Sequence, residues 1–304
     1  MIQINTNTNA NNCINTNANN ILEQINAVPR DLLIDFVEYG HKYIIKTDKK
    51  SKYTSVTTWC HSHFPKFDAD EVITNMMNGK NWNPENKYWG ISPSQIKADW
   101  NKNGASAAKA GTAMHYNIEC FMNGLFGSMG TIGKMPAFDQ THAILLANYE
   151  ENINKRLDDS FEWSQFIEFV KAYPNLKPYR TEWKIYDEEL KLAGSIDMVY
   201  ENDDGTLEIY DWKRCKEIVK TNGFGRSAIT ECINYIPDAN FWHYALQLNT
   251  YKAILEKNYG KVVTGLYLVR LHPDNNENNY EVLKVPVLAQ DMATLFAERS
   301  ERLF

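Results

Sequence analysis

Leu192-Ala193-Gly194-Ser195-Ile196-Asp197-Met198-Val199-Tyr200, the turn Asp203-Asp204-Gly205, and Leu207-Glu208-Ile209-Tyr210-Asp211-Trp212-Lys213 are the most informative residues of this 304-residue chain. Small and apolar residues surround Asp197, as in a strand covered on both faces. In the second run, period-two alternation puts Leu207, Ile209, Asp211 and Lys213 on one face, so an apolar stripe leads into a carboxylate and an ammonium. Burying those charges is costly unless they are paired or bind a metal. The turn has the composition of a three-residue hairpin loop with Gly205 in the left-handed position. Pairing Asn202 with Thr206 then carries Asp197 directly opposite Asp211, about 5 Å away on the same face. Two carboxylates so placed repel, and a hard divalent cation between them, Mg²⁺ or Mn²⁺, turns the repulsion into a binding site. A one-residue slip would send the acids to opposite faces. Taken alone, Asp211-x-Lys213 also fits a plain ion pair at a strand edge.

Composition narrows the classes. The formal charge is −6 and 43% of residues are apolar, so nucleic-acid contact would need a local groove rather than bulk positive charge. No apolar run reaches the roughly 18 residues of a membrane span, and the start MIQINTNTNA lacks the basic and apolar regions of a signal peptide. A soluble, intracellular protein is expected. The five cysteines contain no C-x-x-C pair, which fits reduced thiols. Cys60-His61-Ser62-His63 cannot close a tetrahedral metal site without partners elsewhere.

Residues 1–20 are a polar Asn-rich tract with too little apolar surface to order, and a single domain is expected over 21–304. In that domain the segment 41–47, a polar turn and the segment 53–57 read as two extended pieces leading into a helix capped by Ser55 or Thr57. Helices are expected over about 107–122, 161–172, 240–257 and from 289. Strands are expected over 179–186, 191–200, 206–213, 262–271 and 280–287. The fold class is α/β or α+β, a mixed central sheet flanked by helices.

Gly194-Ser195-Ile196-Asp197 and Asp211-Trp212-Lys213, preceded by Gly111-Thr112-Ala113-Met114-His115 and followed by Gln247-Leu248-Asn249-Thr250-Tyr251, resemble the motifs of the PD-(D/E)XK nuclease superfamily, in its RecB-like branch. Ser55-Val56-Thr57 resembles a P-S-V-T segment of mitochondrial single-strand DNA exonucleases, with Thr54 in place of the proline. The layout of residues 42–124 resembles uncharacterised members from large DNA viruses. The resemblance covers most of the chain beyond the tail.

It implies a restriction-endonuclease-like core with an N-terminal hairpin and helical extension. It also implies a Mg²⁺- or Mn²⁺-dependent phosphodiesterase that acts on DNA, as an exonuclease on single-stranded or end-bearing substrates in repair, recombination or end processing. By motif match, Asp197 and Asp211 are metal-binding acids, His115 adds a ligand, and the carbonyl of Trp212 completes the site. Lys213 orients or deprotonates the attacking water. Gln247 and Tyr251 hold the substrate strand, with Ser55 and Thr57 on the same path. Glu182 and Glu119 are expected to support the ligands rather than to be ligands. Arg214 and Lys216, in a basic insertion, are expected to grip the strand. RecB-like members with an iron–sulfur cluster carry a cysteine trio after the Q-x-x-x-Y helix, and here no cysteine follows Cys232, so no cluster is expected. Alternatives from the sequence are a structure-specific endonuclease, an RNA-cleaving nuclease, or a catalytically silent nucleic-acid-binding module.

Overall fold

Asn202 N–H donates to the Thr206 carbonyl (2.8 Å), Gly205 N–H to the Asn202 carbonyl (2.9 Å) and Thr206 N–H to the Asp204 carboxylate (2.9 Å), with Gly205 at φ 79°. That is the expected three-residue loop. It joins β5 (Leu192–Glu201) to β6 (Leu207–Lys213) in the expected register, Glu201 opposite Leu207 and Met198 opposite Tyr210. The computed structural model of the protein describes residues 20–125, 140–152, 157–275 and 279–303. Residues 1–19 of the expected tail lie outside them, and Asn20 is a buried helix cap.

Around this hairpin the chain builds α1 (Ile21–Ile25), β1 (Ile34–Val37), β2 (Lys42–Ile45), β3 (Thr54–Ser55), α2 (Val56–His61), α3 (Ala69–Met77), α4 (Pro93–Met122), α5 (His142–Glu151), α6 (Phe161–Ala172) and β4 (Pro178–Asp187) before it. After it come α7 (Asn240–Tyr259), β7 (Val263–Arg270), β8 (Glu281–Lys284) and α8 (Ala289–Leu303). The main sheet runs β3-β5-β6-β7-β8, with β4 on the other edge of β5. β6 and β7 are parallel, as are β3 and β5; the remaining pairs are antiparallel. This is the mixed, helix-flanked sheet that the sequence implies.

Two apolar layers clothe the sheet. Leu207, Ile209, Leu266 and Leu268 pack with α2, α7 and α8. Met198, Tyr200, Tyr210, Trp212 and Val269 pack with α4 and α6. Residues one apart on a strand go to opposite layers, as a pleat requires.

Two interruptions of that regularity make the site. The edge of β5 away from β4 pairs with β3 only at Leu192 and Ala193, and with β6 only from Met198 onward. Gly194 to Asp197 therefore face a gap in the sheet. The second interruption is a change of phase. Ile196 belongs to the α7 layer and Met198 to the α4 layer, although two residues apart should share a face. Across the ladder, Thr181 pairs with Met198 and Trp183 with Ile196, while Glu182 between them has φ 44°. A non-glycine residue in the left-handed region inside a strand is a bulge-like distortion. It frees Glu182 and Asp197 from the ladder to point at the gap.

The structure also differs from the expected extended pieces. β2 pairs with β1 as a separate two-stranded hairpin, whereas the second piece shrinks to the two residues of β3. The helix expected over 107–122 begins fourteen residues earlier, at Pro93. Ser92 caps it by accepting from the Gln95 N–H at 3.3 Å, with proline at its first position.

Candidate metal centre and substrate groove

α4 brings His115 over the gap. Its Nε2 lies 3.0 Å from the Trp212 carbonyl, and that bond places the proton on Nε2. In the neutral ring Nδ1 carries the lone pair; it looks at two carboxylates, Asp197 at 3.6 Å and Glu182 at 3.7 Å. One donor atom from each of His115, Glu182 and Asp197 lies within 4.8 Å of the others. An imidazole oriented through its other nitrogen by a backbone carbonyl, beside two oxygen donors, suits a hard divalent cation.

Each group is held from behind. Asp197 accepts from the Trp212 N–H at 3.0 Å, so one peptide plane orients both the acid and the imidazole. Glu182 accepts from the Ser195 hydroxyl at 2.9 Å. Asp211 pairs with Lys213 at 2.5 Å, and the ammonium lies 4.4 Å from the centre of the Tyr244 ring.

The electrostatics mark what the cluster lacks. Burial first, then the negative charge of Asp211, pushes the Asp197 carboxyl up to about 7. Burial opposes charge on His115, but Asp197 and Glu182 outweigh it and raise the imidazole to about 9. Protons thus stand in for positive charge that a cation would supply. Lys213 is likewise driven upward by Asp211 and Asp197 against the effect of burial; it is an ammonium, and a base only if those acids are neutralised.

The cluster forms the floor of an open groove of ≈ 550 Å³ that Ser55, Thr57, Gln247, Tyr251 and Glu119 also line. Ser55 caps α2 by accepting from the Thr58 N–H at 3.1 Å. Gln247 donates to the Tyr251 hydroxyl at 3.1 Å, and Gly194 lets that ring lie against β5: a Cβ there would come within 2.7 Å of it. Glu119 bonds Asn20 at 3.3 Å, and burial and Glu182 raise it to about 7.

The sequence-derived set is therefore divided by the structure. Glu182, expected to be supporting, sits with His115 and Asp197, whereas Asp211 is engaged by Lys213. The Trp212 carbonyl is taken up by His115. Arg214 pairs with Glu162 of α6 at 2.6 Å and Lys216 with Asp274 at 3.1 Å, and neither lines the groove. Phe36, His41 and Tyr43 of the β1–β2 hairpin do line it. Sequence reasoning had no signal for them beyond a strand.

A mixed sheet that opens onto an imidazole–dicarboxylate cluster, with an acid–lysine pair on the next strand, forms a candidate metal site. The family model of the PD-(D/E)XK nuclease superfamily matches residues 101–303, and the chain belongs to that superfamily. Among solved structures, the chain is similar to a protein of Eubacterium rectale provisionally named an exonuclease, at 12% identity and a TM-score of 0.31 over 83% of this chain and 78% of that one. It is also similar to SSO0001, at 16% identity and a TM-score of 0.24 over 52% of this chain and 66% of that one. No curated protein matches. Among the described residues no helix is long and apolar enough to cross a membrane.

Proposed function

We propose that the protein is a Mg²⁺- or Mn²⁺-dependent deoxyribonuclease that degrades DNA from free single-stranded ends, with His115, Glu182 and Asp197 as the ligand set. The observation that carries this reading is the convergence of those donors from α4, β4 and β5 at the gap in the sheet. Membership in the nuclease superfamily supports phosphodiester hydrolysis, and the resemblance to RecB-like motifs supports DNA ends as substrate.

When bound, the cation supplies Lewis acidity at the phosphoryl oxygen and acidifies the attacking water. The chain's own groups do the rest. His115 is fixed by the Trp212 carbonyl, so only Nδ1 is offered. Asp197 is fixed by the Trp212 N–H. Lys213, tethered by Asp211, presents a cation that orients water and stabilises charge growing on the scissile phosphate. Gln247 and Tyr251 position the strand alongside. Asp211 contributes through Lys213 and through its field on Asp197, and is a second ligand candidate once that tether shifts.

Digestion of end-labelled linear and covalently closed circular single-stranded DNA in Mn²⁺ and Mg²⁺ tests this. Decay of linear strands with survival of circles is expected. Decay of circles at the same rate overturns end dependence, and no cleavage of either, with RNA included, overturns the nuclease reading.

A further inference from the structure

The β1–β2 hairpin carries rings on the wall of the groove. Phe36 meets His41 edge-on with centroids 4.8 Å apart, and Tyr43 at 4.9 Å. All three rings line the groove whose floor holds Glu182 and Asp197. His41 has φ 50° beside Gly40 at φ 80°, and the His41 N–H donates to the Glu38 carbonyl at 2.9 Å. That tight turn sets the exposed imidazole edge-on against Phe36. Across the groove α4 presents small side chains at Ala108 and Gly111, and nothing lies within 4 Å of a Cβ built on Gly111.

The charges of the groove argue against a phosphate-gripping surface. Among its described lining residues, imidazoles aside, five carboxylates stand against the single ammonium of Lys184. A duplex held by its backbones needs clustered cations. What this groove offers is π surface on one wall, open space on the other and a metal cluster beneath. Base–aromatic stacking tolerates any sequence because every base has a π face, but in a duplex those faces are already occupied.

We propose that Phe36, with His41 and Tyr43 behind it, is a stacking platform for one unpaired nucleobase next to the scissile phosphate, and that this platform, rather than phosphate contacts, restricts the groove to single strands. This rests on the nuclease reading for the word scissile, while the stacking itself is read by binding alone.

The test is fluorescence anisotropy in Ca²⁺ with a short oligothymidylate and with a strand of equal length built from abasic tetrahydrofuran units, which keeps every phosphate and removes every base. The full chain is expected to bind the base-bearing strand about tenfold or more tighter, the range for one stacked base. Phe36→Leu, which keeps apolar volume at this half-buried position, should remove most of that preference, and Phe36→Trp should keep it. Melting by circular dichroism checks that both variants are folded. Equal affinity for the two strands, no binding of either, or a Phe36→Leu protein with the full preference overturns the platform. Cleavage in Mn²⁺ is scored separately: a base preference without cleavage overturns the nuclease reading and leaves the platform standing, and cleavage without a base preference does the reverse.

Discussion

Lys213 shows how much a single neighbour decides. Two residues from Asp211 on one strand face, it could have been an exposed lysine, yet it is 16% exposed and pinned at 2.5 Å. Its proton is held by two carboxylates, so its chemistry is that of a fixed cation. Lys213→Ala is expected to slow single-turnover cleavage by about 10² or more while binding in Ca²⁺ changes little, as for loss of one preorganised electrostatic group. An unchanged rate at equal folding would remove Lys213 from the chemistry. A second buried base reports on stability instead. His142 bonds the Tyr200 hydroxyl at 2.8 Å, and burial lowers it to about 3. Because the folded value lies below the ordinary one, the unfolded chain binds the extra proton between them. Its stabilising effect is complete above about pH 6.5 and declines by up to about 1.4 kcal/mol per pH unit as pH falls toward the folded value. Urea midpoints at neutral and mildly acidic pH should show a shallower decline in His142→Gln than in the wild-type protein.

At the scale of elements, the sequence was most legible where period and turn chemistry agreed. The Asp203-Asp204-Gly205 loop set the β5–β6 register because only Gly205 adopts φ 79° there at no cost. The helices α6, α7 and α8 and the strands around the hairpin announced themselves by apolar spacing. The middle of α4 did not: Asn101 to Ala110 is exposed apart from its final residue, so no apolar stripe exists there to join Ile96 to the face around Met114. The role of Glu182 was hidden for a different reason. Alternation assumes an unbroken pleat, and φ 44° at Glu182 breaks it, so side chains beyond that point cannot be assigned to faces by counting. The paired acids read from the hairpin were thus half the site; the other half came from a distortion no period encodes. Gly194 is the element-level counterpart. Its missing Cβ admits Tyr251 and Val56, and Tyr251 is 2% exposed. Gly194→Ala should cost about 1–3 kcal/mol, the usual range for overpacking, in chemical denaturation. It should also raise KM by displacing Tyr251 and Gln247; wild-type stability would mean that the ring moves freely.

Across the whole molecule, the proposed metal centre is where separately anchored parts meet. His115 rides on α4, which packs in the α6 layer, and Glu182 and Asp197 belong to adjoining strands of the sheet. Without a cation the two acids repel, and the protein meets that repulsion with protons on Asp197 and His115. A cation that binds the folded arrangement and not the unfolded chain must raise stability by mass action, by about 2.7 kcal/mol at a concentration one hundred times its dissociation constant. For a chain of this size that corresponds to a rise in Tm of roughly 4–5 °C. Thermal melts in EDTA and in increasing Mn²⁺ should therefore shift upward and saturate. Asp197→Asn keeps an oxygen for the Trp212 N–H but relieves the repulsion, so it should melt at or above the wild type in EDTA and lose most of the Mn²⁺ shift. Asp211→Asn discriminates between the two arrangements of acids. If His115, Glu182 and Asp197 are the ligands, most of the Mn²⁺ shift survives that change even as cleavage falls through loss of the Lys213 tether. If Asp211 is itself a ligand, shift and cleavage disappear together.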